Sequence, residues 1–351
     1  MRSTPNTLTD PVFFKPGNYN HLDKFFIRFI RDERDLPFIY FTIKIILFLI
    51  PYAALLFSDR LTRWYWLTAA VIYMLVNATF FIGRFALMFH CTVHRTLFKK
   101  QYNYLNYLLP YFIAPFFGHM SDTYYAHHIG MHHAENNLHD DESSTMGYQR
   151  DSLKHFLLYL VRFIVRGIYD LVGYFKKKNR KKLMYSAIRG EFLYITLCII
   201  LCCLNWSATL CVFIFPYFFY RLIAMLGNWA QHAFIDPADP GNSYKNSFTS
   251  INSKYNWQCW NDGYHISHHL KPAMHWTEHP VNFQNTVNSY IDNNSVVFSK
   301  IDIMMVAVLL LAKRYDLLAR NFVNLGNRFA NEETVIAFLK ERTARFSLNT
   351  L

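Results

Sequence analysis

The run Phe38–Phe57 is twenty residues of nearly unbroken apolar chain, with Lys44 as its one charge. At about 1.5 Å per residue a helix of that length reaches across the ~30 Å hydrocarbon core of a bilayer. Similar blocks recur, and they decide the class of protein. Of the 351 residues 52% are hydrophobic and only 17% charged, where a soluble domain carries about 25% charge. The net charge of +12 would suit nucleic acid, but the basic residues flank apolar blocks, where the positive-inside rule expects them. No nucleic-acid partner is therefore expected. The first block begins behind Arg31-Asp-Glu-Arg34-Asp35, unlike a secretory signal, whose apolar core lies nearer the start. The six cysteines include no C-x-x-C pair, so neither a zinc ribbon nor a disulfide framework is implied.

Taken in order, the blocks form two hairpins. Phe38–Phe57, with a kink at Pro51, returns through the short turn Ser58–Arg63 into a longer helix, Trp64 to about Phe89. The stretch Tyr104–Gly118, broken by Pro110 and Pro115, is too short to span and reads as re-entrant or interfacial; Phe156–Phe175, interrupted by Arg162, Arg166 and Asp170, reads as a helix lying in the interface. The basic run Lys176–Lys182 marks the cytosolic side. A second hairpin follows, Phe192–Asn205 and Thr209–Leu226, its first arm starting as early as Met184. Ile303–Ala312 is apolar but short and is expected on the membrane surface. The expected fold is an all-α integral membrane protein with four transmembrane helices in two hairpins and a cytosolic helical cap. Residues 1–37 are a cytosolic N-terminal segment, 38–313 the membrane domain, and 314–351 a cytosolic C-terminal tail.

Histidines supply the chemistry. Nine of the sixteen fall in four short segments: His90-Cys-Thr-Val-His94, His128-Ile-Gly-Met-His132-His133, His232 at the end of Asn228-Trp-Ala-Gln-His232, and His265-Ile-Ser-His268-His269. Residues three and four apart share a helix face, so each box aims two or three imidazoles at one point. Neutral imidazole ligates iron, zinc and copper. Nine ligands exceed what one metal uses and suit two metals with four or five nitrogens each, with Asn228 placed to act through a bound water. Iron fits oxygen chemistry on lipids at a membrane face; spacing alone also admits zinc. His127 adjoins His128 and competes with it, box spacing favouring His128. Asp262, Glu135 and Asp140 are candidates to orient ligand imidazoles from behind. His275 and His279 form a further H-x-x-x-H pair, read as an outer or interfacial element, while His21, His119, His139 and His155 read as surface or satisfied core.

These four boxes, in this order around two hairpins, resemble those of the membrane fatty acid desaturases and of the related alkane and xylene hydroxylases, over residues 38 to 285. Asn261-Asp-Gly-Tyr264 before the third box and Leu270-Lys-Pro272 after it match the same style. The resemblance implies a non-haem diiron centre, two Fe(2+) per chain, that activates O2 against an unactivated C–H bond. It implies iron ligation by His90, His94, His128, His132, His133, His232, His265, His268 and His269, with Asn228 holding a water. A lipid acyl chain is the implied substrate, on the cytosolic face of the endoplasmic reticulum membrane if the source is eukaryotic. The chain has no H-P-G-G haem motif, so electrons come from a separate donor of the cytochrome b5 or ferredoxin type. The H-x-x-x-H-H second box and the acidic, serine-rich Asp140–Gly147 that follows it are closer to the hydroxylases, which makes chain hydroxylation the alternative to desaturation. A histidine-rich metal transporter is the reading from another class, but it needs polar residues inside the spans, and these carry little besides Lys44.

Overall fold

The computed structural model describes residues 8–58 and 60–346; residues 1–7 and 347–351 of the expected terminal segments, and Asp59 in the first turn, lie outside the described residues. The chain divides into two compact units that interleave along the sequence. One takes residues 13–127 and 179–223, the other residues 8–12, 128–178 and 224–346.

The first of these units is built on apolar helices. Among the described residues, three helical stretches are long and apolar enough to cross a membrane: Glu33–Phe57, Arg63–His94 and Lys181–Gln231. The first two run back along each other. Tyr52 donates to the Ala69 carbonyl at 2.8 Å, Trp66 Nε1 to the Leu56 carbonyl at 2.8 Å, and Phe41 stacks on Phe81. The third stretch covers 51 residues, too long for one straight crossing, and it reverses at Asn205, whose φ of −155° and ψ of 96° are not helical. The Asn205 side chain accepts from the Ala208 amide and the Ser207 hydroxyl, capping the returning arm. The two arms then meet where Tyr194 donates to the Phe213 carbonyl at 2.9 Å. Pro51 and Pro216 are both accommodated by a widened π-type turn just before them, Ile45–Leu49 and Leu210–Ile214. Such a turn relieves the clash between a proline ring and the carbonyl four residues back. Tyr104–Gly118 is a succession of short helical turns rather than one helix.

Two details of this unit differ from the sequence reading. Lys44, which as a charge inside a span is expected to face the bundle interior, is instead exposed on the outside. The apolar helices also carry more charge than was read from them, because Arg84, Arg189, Glu191 and Arg221 all lie within them. The pairing explains how the helices tolerate it: Arg221 Nη2 reaches Glu191 Oε1 at 3.0 Å, Arg189 Nε reaches Asp122 Oδ2 at 2.8 Å, and the Arg84 guanidinium lies 4.0 Å over the Phe80 ring. Gly118, at φ +69°, lets the backbone of Tyr217 approach so closely that a Cβ would stand 2.2 Å from the Tyr217 Cα.

The second unit carries a parallel pair of strands, β1 (Phe248–Ile251) and β2 (Val296–Ser299), in the register Phe248↔Val296 to Ile251↔Ser299. All eight residues are buried, so neither strand shows the polar–apolar alternation that marks a strand in sequence. The helix Ile303–Leu311 was expected on the membrane. Instead Val306, Ala307 and Leu310 are buried in one core with Phe234, Phe248 and Phe298. A ten-residue apolar run is commonly a buried core helix. The C-terminal helices Tyr315–Asn321 and Glu332–Arg342 complete that core through Leu318, Val335 and Leu339. The helix Leu153–Lys177 turns Phe156 and Tyr159 onto Trp229 and leaves Leu157, Val161, Val165 and Tyr169 exposed, the two-sided pattern of an interfacial helix.

Candidate metal centre

Seven of the nine box histidines belong to the second unit, and local geometry sorts them into two groups. His128–His132 is a π-type turn. A π turn advances more than four residues per revolution, which brings residues five apart toward one face; His128 Nε2 and His133 Nε2 accordingly stand 3.1 Å apart. His132 lies one residue round the helix and faces elsewhere. The third box occupies the short helix His265–Leu270, where His265 and His269, one turn apart, bring their Nε2 atoms to 3.0 Å. His268 lies on a different face, 3.0 Å from His133 Nε2. His232 follows the last turn of the helix ending at Gln231 and places Nε2 3.3 Å from that of His265.

One group is therefore His132, His232, His265 and His269, each offering one nitrogen, all within 4.8 Å of one another. The other gathers His128, His133 and His268. His90 and His94 belong to the first unit, on successive turns at the end of Arg63–His94, with ring centroids 5.1 Å apart.

The back sides of the imidazoles test whether the four-nitrogen group fits a metal. His132 Nδ1 donates to Asp141 Oδ2 at 2.8 Å. Asp141 is itself buried and fixed by the Ser143 amide and hydroxyl on its other oxygen, at 2.8 and 2.6 Å. His232 Nδ1 faces two acceptors of Asn246, the side-chain oxygen at 2.9 Å and the main-chain carbonyl at 3.1 Å. The Asn246 amide cannot be turned round, because its nitrogen donates to the Asn136 and Pro240 carbonyls. Both Nδ1 atoms therefore carry hydrogen, and both Nε2 atoms present bare lone pairs to the group. Burial favours the uncharged form of two of these rings: it pushes His232 down to about 4, with the neighbouring His132 adding to the effect, and holds His269 well below the ordinary histidine range. Converging lone pairs on neutral rings repel one another unless a cation sits among them, so the donor set fits a metal ion.

The loop that leads into the third box is built around Gly263. Its amide donates to Asn256 Oδ1 at 3.0 Å and its carbonyl accepts from Ser250 at 2.7 Å. A Cβ there would lie 2.4 Å from Asn256 Oδ1, so only glycine fits. Asn261 takes a left-handed φ of 58° and donates to the Pro11 and Trp276 carbonyls. Tyr264 donates to the buried Asp10 at 2.6 Å. The four residues Asn261–Tyr264 thereby tie residues 10–11 and the segment around Trp276 to the start of the histidine helix.

Of the acids singled out in the sequence, Glu135 accepts from Tyr174 at 2.5 Å and pairs with Lys178 at 3.1 Å, and Asp140 pairs with Lys177 and Lys178. Both are directed at the basic run, whose lysines thus brace the second-box loop. Asp262 accepts from Tyr255 at 3.1 Å and Gln231 at 3.3 Å, and burial pushes its carboxyl up to about 7. Sequence reasoning missed Asp141, the immediate neighbour of Asp140, since two adjacent acids in one loop cannot be told apart by spacing. It also missed Asn246, which no motif marks. Asn228 turns its amide nitrogen to the Ser143 carbonyl and the Tyr159 hydroxyl. His279 Nδ1 meets Ser267 Oγ at 2.8 Å, on the third-box helix between two ligand candidates. His119 is buried, and its Nε2 has no hydrogen-bond partner among the described residues.

The chain is mostly helical, with membrane-length apolar helices and histidine groups that could hold metal. The fatty acid desaturase family model matches residues 64–285, well over half of the chain and all four boxes, and the protein belongs to that family. Neither the curated proteins nor the solved structures give a significant match. The family consists of oxidoreductases of the desaturase and hydroxylase type, acting on lipid at a membrane.

Proposed function

We propose that this protein is an O2-dependent fatty acyl desaturase that introduces a double bond into a lipid chain at a centre of two ferrous ions. The observation that carries the proposal is the convergence of four imidazole nitrogens within 4.8 Å, two of them with their back sides fixed by Asp141 and Asn246. When bound, the irons supply the oxidising power that takes hydrogen from an unactivated chain carbon, with O2 as oxidant and a separate donor, of cytochrome b5 or ferredoxin type, as the source of electrons. The chain's own residues hold the donor set. Asp141 keeps the His132 proton on Nδ1, Asn246 does the same for His232, and burial holds His232 well below the ordinary histidine range.

His90, His94, His128, His132, His133, His232, His265, His268 and His269 are the proposed ligands, with Asn228 acting through a water. The four arms 33–57, 63–94, 181–204 and 206–231 are proposed to cross the membrane as two hairpins, with the boxes and the basic run on the cytosolic side and, in a eukaryotic cell, in the endoplasmic reticulum. The exposed apolar face of Leu153–Lys177 would rest in the interface on that side.

Chain hydroxylation is the second reading, and one observation favours it: the second box keeps the longer H-x-x-x-H-H spacing, which the π turn His128–His132 accommodates. Feeding labelled acyl substrates under isotopic O2 separates the two. Desaturation gives a product about two mass units lighter with oxygen reduced to water; a product about sixteen units heavier, carrying an atom of O2, assigns hydroxylation.

A further inference from the structure

Arg150 is the largest charged side chain sealed inside the second unit, with no exposure to solvent. Its guanidinium is spent on six main-chain carbonyls. Nε donates to Ala233 at 2.9 Å, Nη1 to Thr145, Met146 and Tyr148 at 3.2–3.5 Å, and Nη2 to Arg342 and Ala344 at 3.0 and 2.6 Å. These carbonyls come from three places far apart in sequence. Thr145–Tyr148 end the loop that holds Asp141; Ala233 directly follows His232; Arg342 and Ala344 close the C-terminal helix. A planar five-hydrogen donor suits such a junction, because it reaches all three at once.

Further contacts lie along the same lines. Thr145 Oγ1 donates to the His232 carbonyl at 2.8 Å, and the Thr145 amide donates to Asn137. The Asn137 amide in turn reaches Asp141 Oδ2, and its side chain reaches Asn246 Oδ1. The backbone of the C-terminal segment pairs with both neighbours: Arg150 N to Thr343 O, Ile235 N to Arg342 O, and Phe346 N to Met146 O. Arg342 adds an ion pair to Asp236 at 2.7 Å. Phe346 packs with Met146 and Ile235, its ring 5.3 Å from the Arg150 guanidinium carbon.

We propose that Arg150 and the C-terminal segment Arg342–Phe346 form a clasp that holds the His232 turn and the Asp141 loop in register, so that the four-imidazole group retains its metal only while that segment is docked. Arg150 acts through His132 and His232 and touches no reacting atom; it is a positioning residue. The proposal rests on the metal centre argued above. Without the clasp the Thr145–His232 link and the Asp141 support both relax, and support from behind a ligand imidazole is worth about 10–100-fold in metal affinity. The group of His128, His133 and His268 shares none of these contacts with Arg150, so the effect falls on one metal of two.

The test compares iron release to a coloured ferrous chelator from the full-length protein, from a variant lacking residues 343–351, and from Arg150→Lys. In the variants one iron equivalent is expected to leave at least about tenfold faster while the second leaves at the wild-type rate, with helix content unchanged. A synthetic peptide of residues 343–351 added to the truncated protein should slow the fast phase again. Release of both equivalents at wild-type rates in both variants, or equal acceleration of both, overturns the clasp and leaves the metal centre standing. If the truncated protein does not fold, Arg150→Lys decides by the same criterion. Full-length protein that takes up no iron overturns the metal centre, and the clasp with it.

Discussion

The two units solve opposite problems with polar groups. In the unit of long helices, the buried carboxylates Glu191 and Asp122 are each matched to a cation beside them, Arg221 and Arg189. Those pairs neutralise the buried carboxylates within an apolar setting. In the unit that carries most of the boxes, buried polar groups are many, and they are chained together so that one group's partner fixes the next: Ser143 on Asp141, Asp141 on His132, Asn137 between Asp141 and Asn246, and Asn246 on His232. The first arrangement tolerates polarity, and the second uses it to aim nitrogens. A single polar deletion should therefore act on stability in one unit and on metal in the other.

The largest effect is expected at a proposed ligand. His269→Ala removes a nitrogen from the four-imidazole group, and activity should fall to background with loss of iron. The apolar helices that drive insertion are unaltered, so membrane extraction and helix content should match wild type. Full turnover in this variant would break the assignment of the group as the working centre.

Next comes the helix unit. Glu191→Ala strands Arg221 in buried surroundings, and removing one partner of a buried pair costs about 3–5 kcal/mol. Thermal unfolding should shift strongly downward, while iron bound per folded molecule stays at the wild-type value. A double change to apolar residues, Glu191→Met with Arg221→Leu, should recover much of the loss. A selective loss of iron from Glu191→Ala would show that the two units do not divide their duties as described.

The same contrast explains what was legible in the sequence. Apolar length and composition act locally, so the long apolar helices could be read directly, although they were expected as four spans and the described residues hold three such stretches, the third reversing at Asn205. The histidine boxes were legible too, although the second and third each divide between two groups instead of aiming at one point. Groups that pair across long sequence gaps could not. β1 and β2 lie more than forty residues apart and, being buried on both faces, lack alternation. Asn246 carries no spacing signal relative to His232. Asp141 was hidden beside Asp140, because only the folded loop decides which of two neighbouring carboxylates turns inward. Ile303–Leu311 was read as a membrane-surface helix because hydrophobicity alone does not say whether lipid or protein covers it.

Asp141→Asn sharpens the comparison at intermediate size. The substitution keeps the shape and removes the charge that holds the His132 proton on Nδ1. Iron affinity should fall about 10–100-fold with little change in helix content, whereas Asp140→Asn, which loses partly exposed pairs with His139, Lys177 and Lys178, should leave affinity unchanged. Equal effects from the two variants would remove Asp141 from the support of the centre.

The smallest effect, and the one with a distinctive pH signature, belongs to Tyr264→Phe. The lost hydroxyl donates at 2.6 Å to Asp10, a carboxylate buried beneath the third box that also accepts from the Asn252 amide at 2.7 Å. A hydrogen bond to a charged group is worth about 1.5–3 kcal/mol, which sets the size of the loss when Asp10 is ionised. Burial already raises the Asp10 carboxyl above its usual range, and the Tyr264 bond works against that rise; without the hydroxyl the carboxyl rises further. A carboxyl raised on folding binds more protons in the folded than in the unfolded state, so its contribution to stability falls as pH climbs from the unfolded value through the folded one. In the variant that window extends higher. The stability gap between wild type and Tyr264→Phe should therefore be small at pH low enough to protonate Asp10 in both folded proteins, and should widen as pH rises from there through the range in which Asp10 ionises. Calorimetric unfolding of both proteins across that range measures the gap. A gap that stays constant with pH would mean that the hydroxyl supports packing alone, and that the N-terminal segment is not held to the third box through the charge on Asp10.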